Sequence, residues 1–115
     1  ATPDGTGVRD YIHVVDLASA HLCALNNRLT AQGCRAWNIG TGNGISVLQV
    51  KNTFEQVNGV QVAFEFAPRR EGDVATSFAD NSRAVQELGW TPQYGLEDML
   101  ADSWNWQKQN PNGYR

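Results

Sequence analysis

The sequence is poor in the features that mark nucleic-acid-binding and membrane proteins. Nine Lys and Arg stand against twelve Asp and Glu, for a net charge of −3. Binding to a phosphate backbone depends on clustered positive charge, which this composition does not supply. No apolar run reaches the length that spans a bilayer, and no basic amphipathic helix indicates a membrane surface. We therefore expect neither a nucleic-acid nor a membrane partner.

Cysteine is scarce as well. Cys23 and Cys34 are the only two. They lack the Cys-x-x-Cys spacing and the neighbouring ligands of a metal site, so we expect no bound metal. The chain also contains no Asn-x-Ser/Thr glycosylation site, which would have favoured secretion. We interpret both residues as reduced thiols of a cytoplasmic protein.

A conventional N-terminus is also missing. The chain opens with Ala-Thr-Pro-Asp-Gly instead of Met, and no charged segment followed by an apolar one comes after it. Its 115 residues suffice for one domain with a modest core, and four Trp and four Phe argue against disorder. We interpret residues 1–115 as a single-domain fragment of a longer protein.

What the sequence does contain is an alternation of strand and helix patterns. β-Branched, aromatic and alternating residues predict strands at 8–15, 36–39 and 60–66, the last being the clearest. Helical spacing and end signals predict helices at 16–29, 46–58, 80–88 and 96–109. This order indicates an α/β or α+β fold, in which the first two strand–helix units end a parallel sheet.

Local signals set the expected helix ends and faces. We expect Asp16 and Asp80 to cap the first and third helices, and Ser46 to form a capping box with Gln49. Gly89 should end the third helix, with Trp90 packed after it. An apolar stripe on the first helix comprises Ala18, Leu22, Leu25 and Leu29. We interpret His13, which has no nucleophile or metal partner, as a hydrogen-bonded structural residue.

The glycine cluster at 40–44 is a possible phosphate loop because a helix follows it. Its spacing matches neither G-x-G-x-x-G nor G-x-x-x-x-G-K-[ST]. We therefore interpret it as a strand-to-helix turn closed by the capping box at Ser46.

The segment 67–73, Ala-Pro-Arg-Arg-Glu-Gly-Asp, has the chemistry of a nucleotide-binding turn. Arg69 and Arg70 offer planar forks of donors suited to phosphate oxygens. Asp73 accepts hydrogen bonds and suits a ribose hydroxyl. The alternative is a solvated turn whose charges pair with one another, and the residues alone favour that alternative.

Several of these segments together resemble a known family. They are Arg9–Ala18 (RDYIHVVDLA), Asn38–Gly42 (NIGTG), Pro68–Asp73 (PRREGD), Leu88–Trp90 (LGW) and the closing Trp104–Tyr114. In this combination the chain resembles the C-terminal third of the UDP-glucose 4-epimerase family (UDP-galactose 4-epimerases), which are extended short-chain dehydrogenases/reductases. The resemblance implies a substrate-binding part that contains the last strand–helix units of a Rossmann-like sheet, without the N-terminal NAD-binding domain.

The resemblance also implies roles for five residues. Arg9 and Arg70 match the pair that holds the UDP pyrophosphate, and Asp73 matches the acceptor for the ribose hydroxyls. Tyr11 falls in the nucleotide-contacting segment. Ser77 matches a position facing the sugar, where a bulky aromatic confines members to glucose and galactose. A serine there implies room for the N-acetyl group of UDP-N-acetylhexosamines.

The implied reaction is the NAD-dependent interconversion of UDP-galactose and UDP-glucose, an isomerase step of galactose metabolism. In this family NAD takes a hydride from the sugar and returns it to the other face. The glycine motif and the Tyr-x-x-x-Lys pair of that chemistry do not occur in these residues. We therefore expect no catalytic residue and no NAD site here, and no epimerase activity from the fragment alone.

Other functions remain open at this point. The chain could belong to another nucleotide-sugar epimerase, such as a UDP-glucuronate epimerase, or to a dehydratase of the same superfamily. It could also be a stand-alone nucleotide-sugar-binding or interaction module. A fragment of this kind should expose apolar surface on the first strand, on the 17–29 helix and at 37–39, which favours a homodimer or self-association.

Overall fold

Four helices and three two-residue strands form the fold of residues 2–114, which is the part of the chain that the computed structural model describes. In chain order they are β1 (Val8–Arg9), α1 (Val14–Arg28), β2 (Ile45–Ser46), α2 (Val47–Asn58), β3 (Thr76–Ser77), α3 (Ser82–Leu88) and α4 (Leu96–Gln109). The predicted α/β class and the order of strands and helices are confirmed. None of the described helices is long and apolar enough to cross a membrane.

The small sheet has the strand order β2-β1-β3, with β1 in the centre. Strand β1 is antiparallel to β2, with Val8 opposite Ser46. It is parallel to β3, with Arg9 beside Ser77. Strand β1 thus pairs with the residue pair directly before α2, and the segment 36–39 forms no ladder within residues 2–114. The parallel sheet that the first two strand–helix units would end stays a prediction.

The predicted strands were mostly wrong in position. Only Val8 and Arg9 of the segment 8–15 form a ladder, and neither 36–39 nor 60–66 pairs as a strand within residues 2–114. Alternating apolar residues fit a pleated, half-buried surface, but a ladder also needs a neighbouring strand. The segment 60–66 has none in this part of the chain, and Phe64 and Phe66 remain 55% and 67% exposed.

Helix α1 begins earlier than predicted, and its cap is His13. The Nδ1 atom of His13 accepts the Val15 N–H at 3.0 Å, so the prediction of Asp16 as cap is wrong. Because Nδ1 is an acceptor, a neutral ring carries its proton on Nε2 and donates it to Asp102 Oδ2 at 2.8 Å. The interpretation of His13 as a hydrogen-bonded structural residue is confirmed.

Asp16 instead joins α1 to the segment before α4. Its side chain is 1% exposed and accepts the backbone N–H groups of Gln93 and Tyr94 at 2.9 and 3.0 Å. The indole of Trp90 donates to the Asp16 carbonyl oxygen at 3.1 Å. A carboxylate can be buried in this way because backbone donors replace its water.

The other helix ends follow their local signals. Ser46 and Gln49 form the predicted capping box of α2, and Gly59 ends that helix in the left-handed conformation. Gly89 ends α3 as predicted. The N-cap of α3 is Asn81 and not the predicted Asp80. The Asp80 carboxylate nevertheless accepts the N–H of Ser82, the first residue of the helix, at 3.0 Å.

The buried apolar core of the described residues is small and lies between α1, α3 and the segment after α3. It consists of Ala20, Ala84 and Trp90. The predicted stripe on α1 faces outward: Leu22, Leu25 and Leu29 are 59–72% exposed. The expectation of exposed apolar surface on this helix is confirmed. Apart from this core, Phe54 of α2 packs edge-on against Trp104 of α4.

We predict that Asp16→Ala will lower the free energy of unfolding by about 3 kcal/mol, because two hydrogen bonds to a charged acceptor are worth about 1.5 kcal/mol each. Urea unfolding measures this change. Asp80→Ala is the matched control, since its exposed carboxylate accepts one local N–H, and it should cause a much smaller loss. Equal losses in the two variants would contradict the role of Asp16.

Candidate functional site

One cavity is lined by three charged residues of the 67–73 turn and by Arg9 of β1. It has a volume of about 520 Å³ and lies between residues 65–75, the first residues of the described chain and the start of α2. Arg9, Arg69, Arg70 and Asp73 line it. Its volume lies within the range of small-molecule sites. We call it the arginine cavity.

The turn that presents Arg70 is held by its own hydrogen bonds. The Arg69 guanidinium donates to the Asp73 carbonyl oxygen, with Nε at 2.9 Å and Nη2 as a second donor. Gly72 supplies the left-handed backbone conformation that the turn requires, with φ at +85°. Arg69 thus closes the turn, and Arg70 and Asp73 project from it.

Arg70 and Asp73 form an exposed ion pair. The Arg70 Nε lies 3.0 Å from Asp73 Oδ2, and the Arg70 side chain is 85% exposed. Exposed pairs of this kind contribute about 1 kcal/mol or less to stability. The pair therefore keeps both groups near each other without locking either one.

Arg9 reaches the same cavity from the sheet. Its Nη1 donates to the Val8 carbonyl oxygen at 2.7 Å, so the side chain folds back along β1. The structure thus brings together three of the five predicted site residues, Arg9, Arg70 and Asp73, although Arg9 is distant from the other two in sequence.

Tyr11 and Ser77 lie outside the arginine cavity. Tyr11 lines a second cavity of about 310 Å³, with Thr41, Tyr94 and Met99 among the other lining residues. Ser77 is exposed on β3, in register with Arg9, and lines neither cavity. Each of them is close to Arg9 along the chain or across the sheet, since Tyr11 follows Arg9 by two residues and Ser77 pairs with Arg9. Neither lines the arginine cavity.

Sequence reasoning assigned no role to Asp10, the residue between Arg9 and Tyr11. Its carboxylate accepts the Thr41 hydroxyl at 2.6 Å and the backbone N–H groups of Thr41, Gly42 and Ala79 at 2.9, 2.9 and 3.2 Å. An aspartate inside a strand-like run was the available signal, because aspartate is depleted in strands.

These contacts set the charge state of Asp10. Burial raises the pKa of its carboxyl group, but the hydrogen bonds from Thr41, Gly42 and Ala79 together outweigh that effect and hold the pKa below its usual value. The side chain is therefore an anion at neutral pH.

The glycine cluster binds this internal anion. Because the N–H groups of Thr41 and Gly42 donate to Asp10, they are not available to a phosphate. At the N-terminus of α2, the Gln49 N–H donates to Ser46 Oγ and the Gln49 side chain accepts the Ser46 N–H. The capping box predicted to follow the cluster is confirmed. The cluster itself connects the segment 36–39, unpaired in the described part of the chain, to β2, so it is not a turn between a strand and a helix.

The hydrogen bonds from Thr41 and Gly42 to Asp10 also decide whether this turn fits NAD. A dinucleotide pyrophosphate needs backbone donors at a glycine-rich turn before a helix. The turn at Thr41 and Gly42 has committed those donors to Asp10, so it does not fit the cofactor. Within residues 2–114, no group of three or more His, Cys, Asp or Glu could hold a metal ion.

Comparison with protein families gives a match over most of the chain. The family model described as GDP-mannose 4,6 dehydratase matches residues 1–103. Among curated proteins, the UDP-glucose 4-epimerase of Bacillus subtilis (strain 168) is 57% identical over 99% of this chain and 34% of its own length. The chain thus spans about a third of the curated relatives that it matches.

Solved structures give the same picture. The chain is similar to a UDP-glucose 4-epimerase from Bifidobacterium longum in complex with NAD+ and UDP, with a TM-score of 0.92 and 49% identity over 98% of this chain and 33% of that one. It is also similar to the UDP-Glc/GlcNAc 4-epimerase of Campylobacter jejuni, with a TM-score of 0.81 and 40% identity over 94% of this chain and 33% of that one.

We predict that the stability supplied by Asp10 will decline in acid. A group whose pKa is depressed by folding stabilises the protein above its unfolded pKa, near 3.8, and loses this contribution as the pH falls through the folded value. Urea unfolding should show wild type more stable than Asp10→Asn at pH 6, with the difference shrinking below pH 4. A difference that stays constant with pH would contradict the ionised state of Asp10.

Proposed function

We propose that the chain forms the C-terminal, substrate-binding part of a UDP-glucose 4-epimerase. The chain belongs to the family described by the GDP-mannose 4,6 dehydratase model, among the extended short-chain dehydrogenases/reductases. The observation that carries the proposal is the arginine cavity, which Arg9, Arg70 and Asp73 line together. The ligand that this cavity suits is the uridine diphosphate of UDP-glucose or UDP-galactose.

The chemistry of the cavity matches the two parts of that ligand. Arg9 and Arg70 donate to the pyrophosphate oxygens, for which a planar guanidinium is the best-suited side chain. Asp73 accepts from the ribose hydroxyls. Tyr11, which lines the cavity of about 310 Å³, contacts the nucleotide from the other end of the Arg9–Tyr11 segment.

Anchoring through the nucleotide suits an epimerase in particular. Inversion at C4 exposes both faces of the sugar in turn, so the sugar itself cannot be held rigidly. Binding energy from a remote part of the substrate keeps the molecule in the site while the reacting ring moves. Arg9 and Arg70 would supply this anchorage without contacting the ring.

NAD and the catalytic pair belong, in this proposal, to residues of the intact protein outside these 115. The described turn at Thr41 and Gly42 does not fit the cofactor, and no Tyr-x-x-x-Lys occurs in the sequence. When bound, NAD would supply the hydride acceptor. The 115 residues alone should therefore bind substrate weakly and leave it unchanged.

Ser77 extends the proposal to the choice of sugar. A small side chain at this position leaves room for an N-acetyl group, which a bulky aromatic would exclude. The similarity to a protein named UDP-Glc/GlcNAc 4-epimerase supports this extension. We include UDP-N-acetylhexosamines among the substrates of the intact protein.

We propose further that the protein self-associates and that it is cytoplasmic. Leu22, Leu25 and Leu29 form exposed apolar surface on α1, and exposed patches of this kind favour association. The two cysteines are free thiols, which is typical of a cytoplasmic protein. A homodimer or a self-associated chain is the state that we propose.

We predict that Arg70→Ala will weaken binding of UDP by about 10- to 100-fold, the equivalent of one charge-assisted hydrogen bond or slightly more. Titration of the 115-residue chain with UDP, followed by backbone amide NMR, measures this. Arg83→Ala, which removes an exposed arginine outside the arginine cavity, should bind like wild type. Unchanged affinity in Arg70→Ala would contradict the proposed site.

We predict that Ser77→Tyr in the full-length protein will abolish turnover of UDP-GlcNAc and preserve turnover of UDP-galactose, because the larger ring fills the space of the N-acetyl group. Steady-state assays with both substrates measure the selectivity. Ser103→Tyr, at an exposed position of α4, is the control. Failure of the unmodified full-length protein to accept UDP-GlcNAc would contradict the argument for Ser77.

A further inference from the structure

Asp10 joins three segments that are far apart in sequence. Its own segment is the end of β1, and its four donors come from the turn before α2 and from the chain just after β3. Asp10 lines neither the arginine cavity nor the cavity of Tyr11. Its contacts therefore serve the backbone and not a ligand.

All three segments carry parts of the proposed nucleotide site. Arg9 and Tyr11 flank Asp10 directly, and Ser77 lies two residues before Ala79, whose N–H is one of the four donors. Thr41, which supplies two donors, also lines the cavity of Tyr11. One carboxylate thus fixes the relative positions of residues assigned to pyrophosphate, nucleoside and sugar.

The packing around Asp10 leaves little slack. A Cβ atom added at Gly40 would lie 2.5 Å from Asp10 Oδ2 and 2.8 Å from the Ala79 side chain. Asn81 donates to the Gly40 carbonyl oxygen at 2.8 Å and so holds the same turn from the other side. A side chain at position 40 would therefore displace Asp10 or Ala79, and the turn cannot move away from Asp10 without breaking its hydrogen bonds.

We infer that Asp10 is a positioning residue for nucleotide binding, which holds Arg9 and Tyr11 in place without touching the substrate. This inference rests on the proposed function. The Thr41 and Gly42 amides donate to an internal carboxylate and not to a ligand. The phosphates of the ligand are thereby left to the arginines.

The test compares binding of UDP-glucose to the full-length protein that contains these residues and to its Asp10→Ala and Asp10→Asn variants, with Asp80→Ala as the control. Amide NMR at Arg9, Ser77 and Asp73 reports the binding and its location. Both Asp10 variants should bind about tenfold more weakly or worse, the equivalent of at least one charge-assisted hydrogen bond. Ligand-induced shifts should be lost at Arg9 before they are lost at Asp73.

A rescue experiment separates positioning from general stability. In Asp10→Ala, sodium formate should enter the cradle of Thr41, Gly42 and Ala79 and restore part of the lost affinity. Sodium chloride at the same ionic strength should not do so, and formate should not improve wild type. A variant that lost binding only through global instability would gain equally from both salts.

The outcomes distinguish the two proposals. If wild type binds UDP-glucose and both Asp10 variants bind it equally well, the inference is overturned and the proposed function stands. If wild type binds no UDP-glucose, the proposed function fails and the inference with it. If both variants are unfolded and formate does not restore them, Asp10 serves stability and the positioning role is overturned.

Discussion

The hydrogen bonds to the half-buried Asp10 carboxylate are the interaction on which the rest of the candidate site depends. A carboxylate withdrawn from water is costly unless donors replace its hydration. Here the donors are three backbone N–H groups and one hydroxyl, drawn from two remote segments. Satisfying this one anion therefore requires β1, the turn before α2 and the chain after β3 to meet at one point.

Asp16 is a second carboxylate whose hydration is replaced by backbone donors. It accepts backbone N–H groups of Gln93 and Tyr94 and so joins α1 to the start of α4. The apolar core of the described residues is small, since Ala20 and Ala84 bury little surface and Trp90 supplies most of it. In a fold with two-residue strands and so small a core, the bonds from Asp10 and Asp16 to backbone amides join segments that are far apart in the chain.

This organisation explains what the sequence could predict. The capping box of Ser46 and Gln49 and the helix end at Gly89 were predictable, because each depends on residues within one or two turns. The strand at 60–66 was wrongly predicted, because its pattern describes the segment and not the neighbour that a ladder needs. Asp10 and Asp16 find their partners far along the chain, and no local pattern reports such contacts.

The turn at 67–73 has features of both interpretations that its residues allowed, a nucleotide-binding turn and a solvated turn whose charges pair with one another. Arg70 and Asp73 do pair with each other in an exposed turn, yet both also line the arginine cavity with Arg9. Because an exposed pair is weak, a pyrophosphate could replace Asp73 as the partner of Arg70. The Asp73 carboxylate would then be free to accept ribose hydroxyls. In the proposed site, the ion pair is the arrangement of Arg70 and Asp73 without ligand, in a turn that the Arg69 hydrogen bonds and the Gly72 backbone conformation fix.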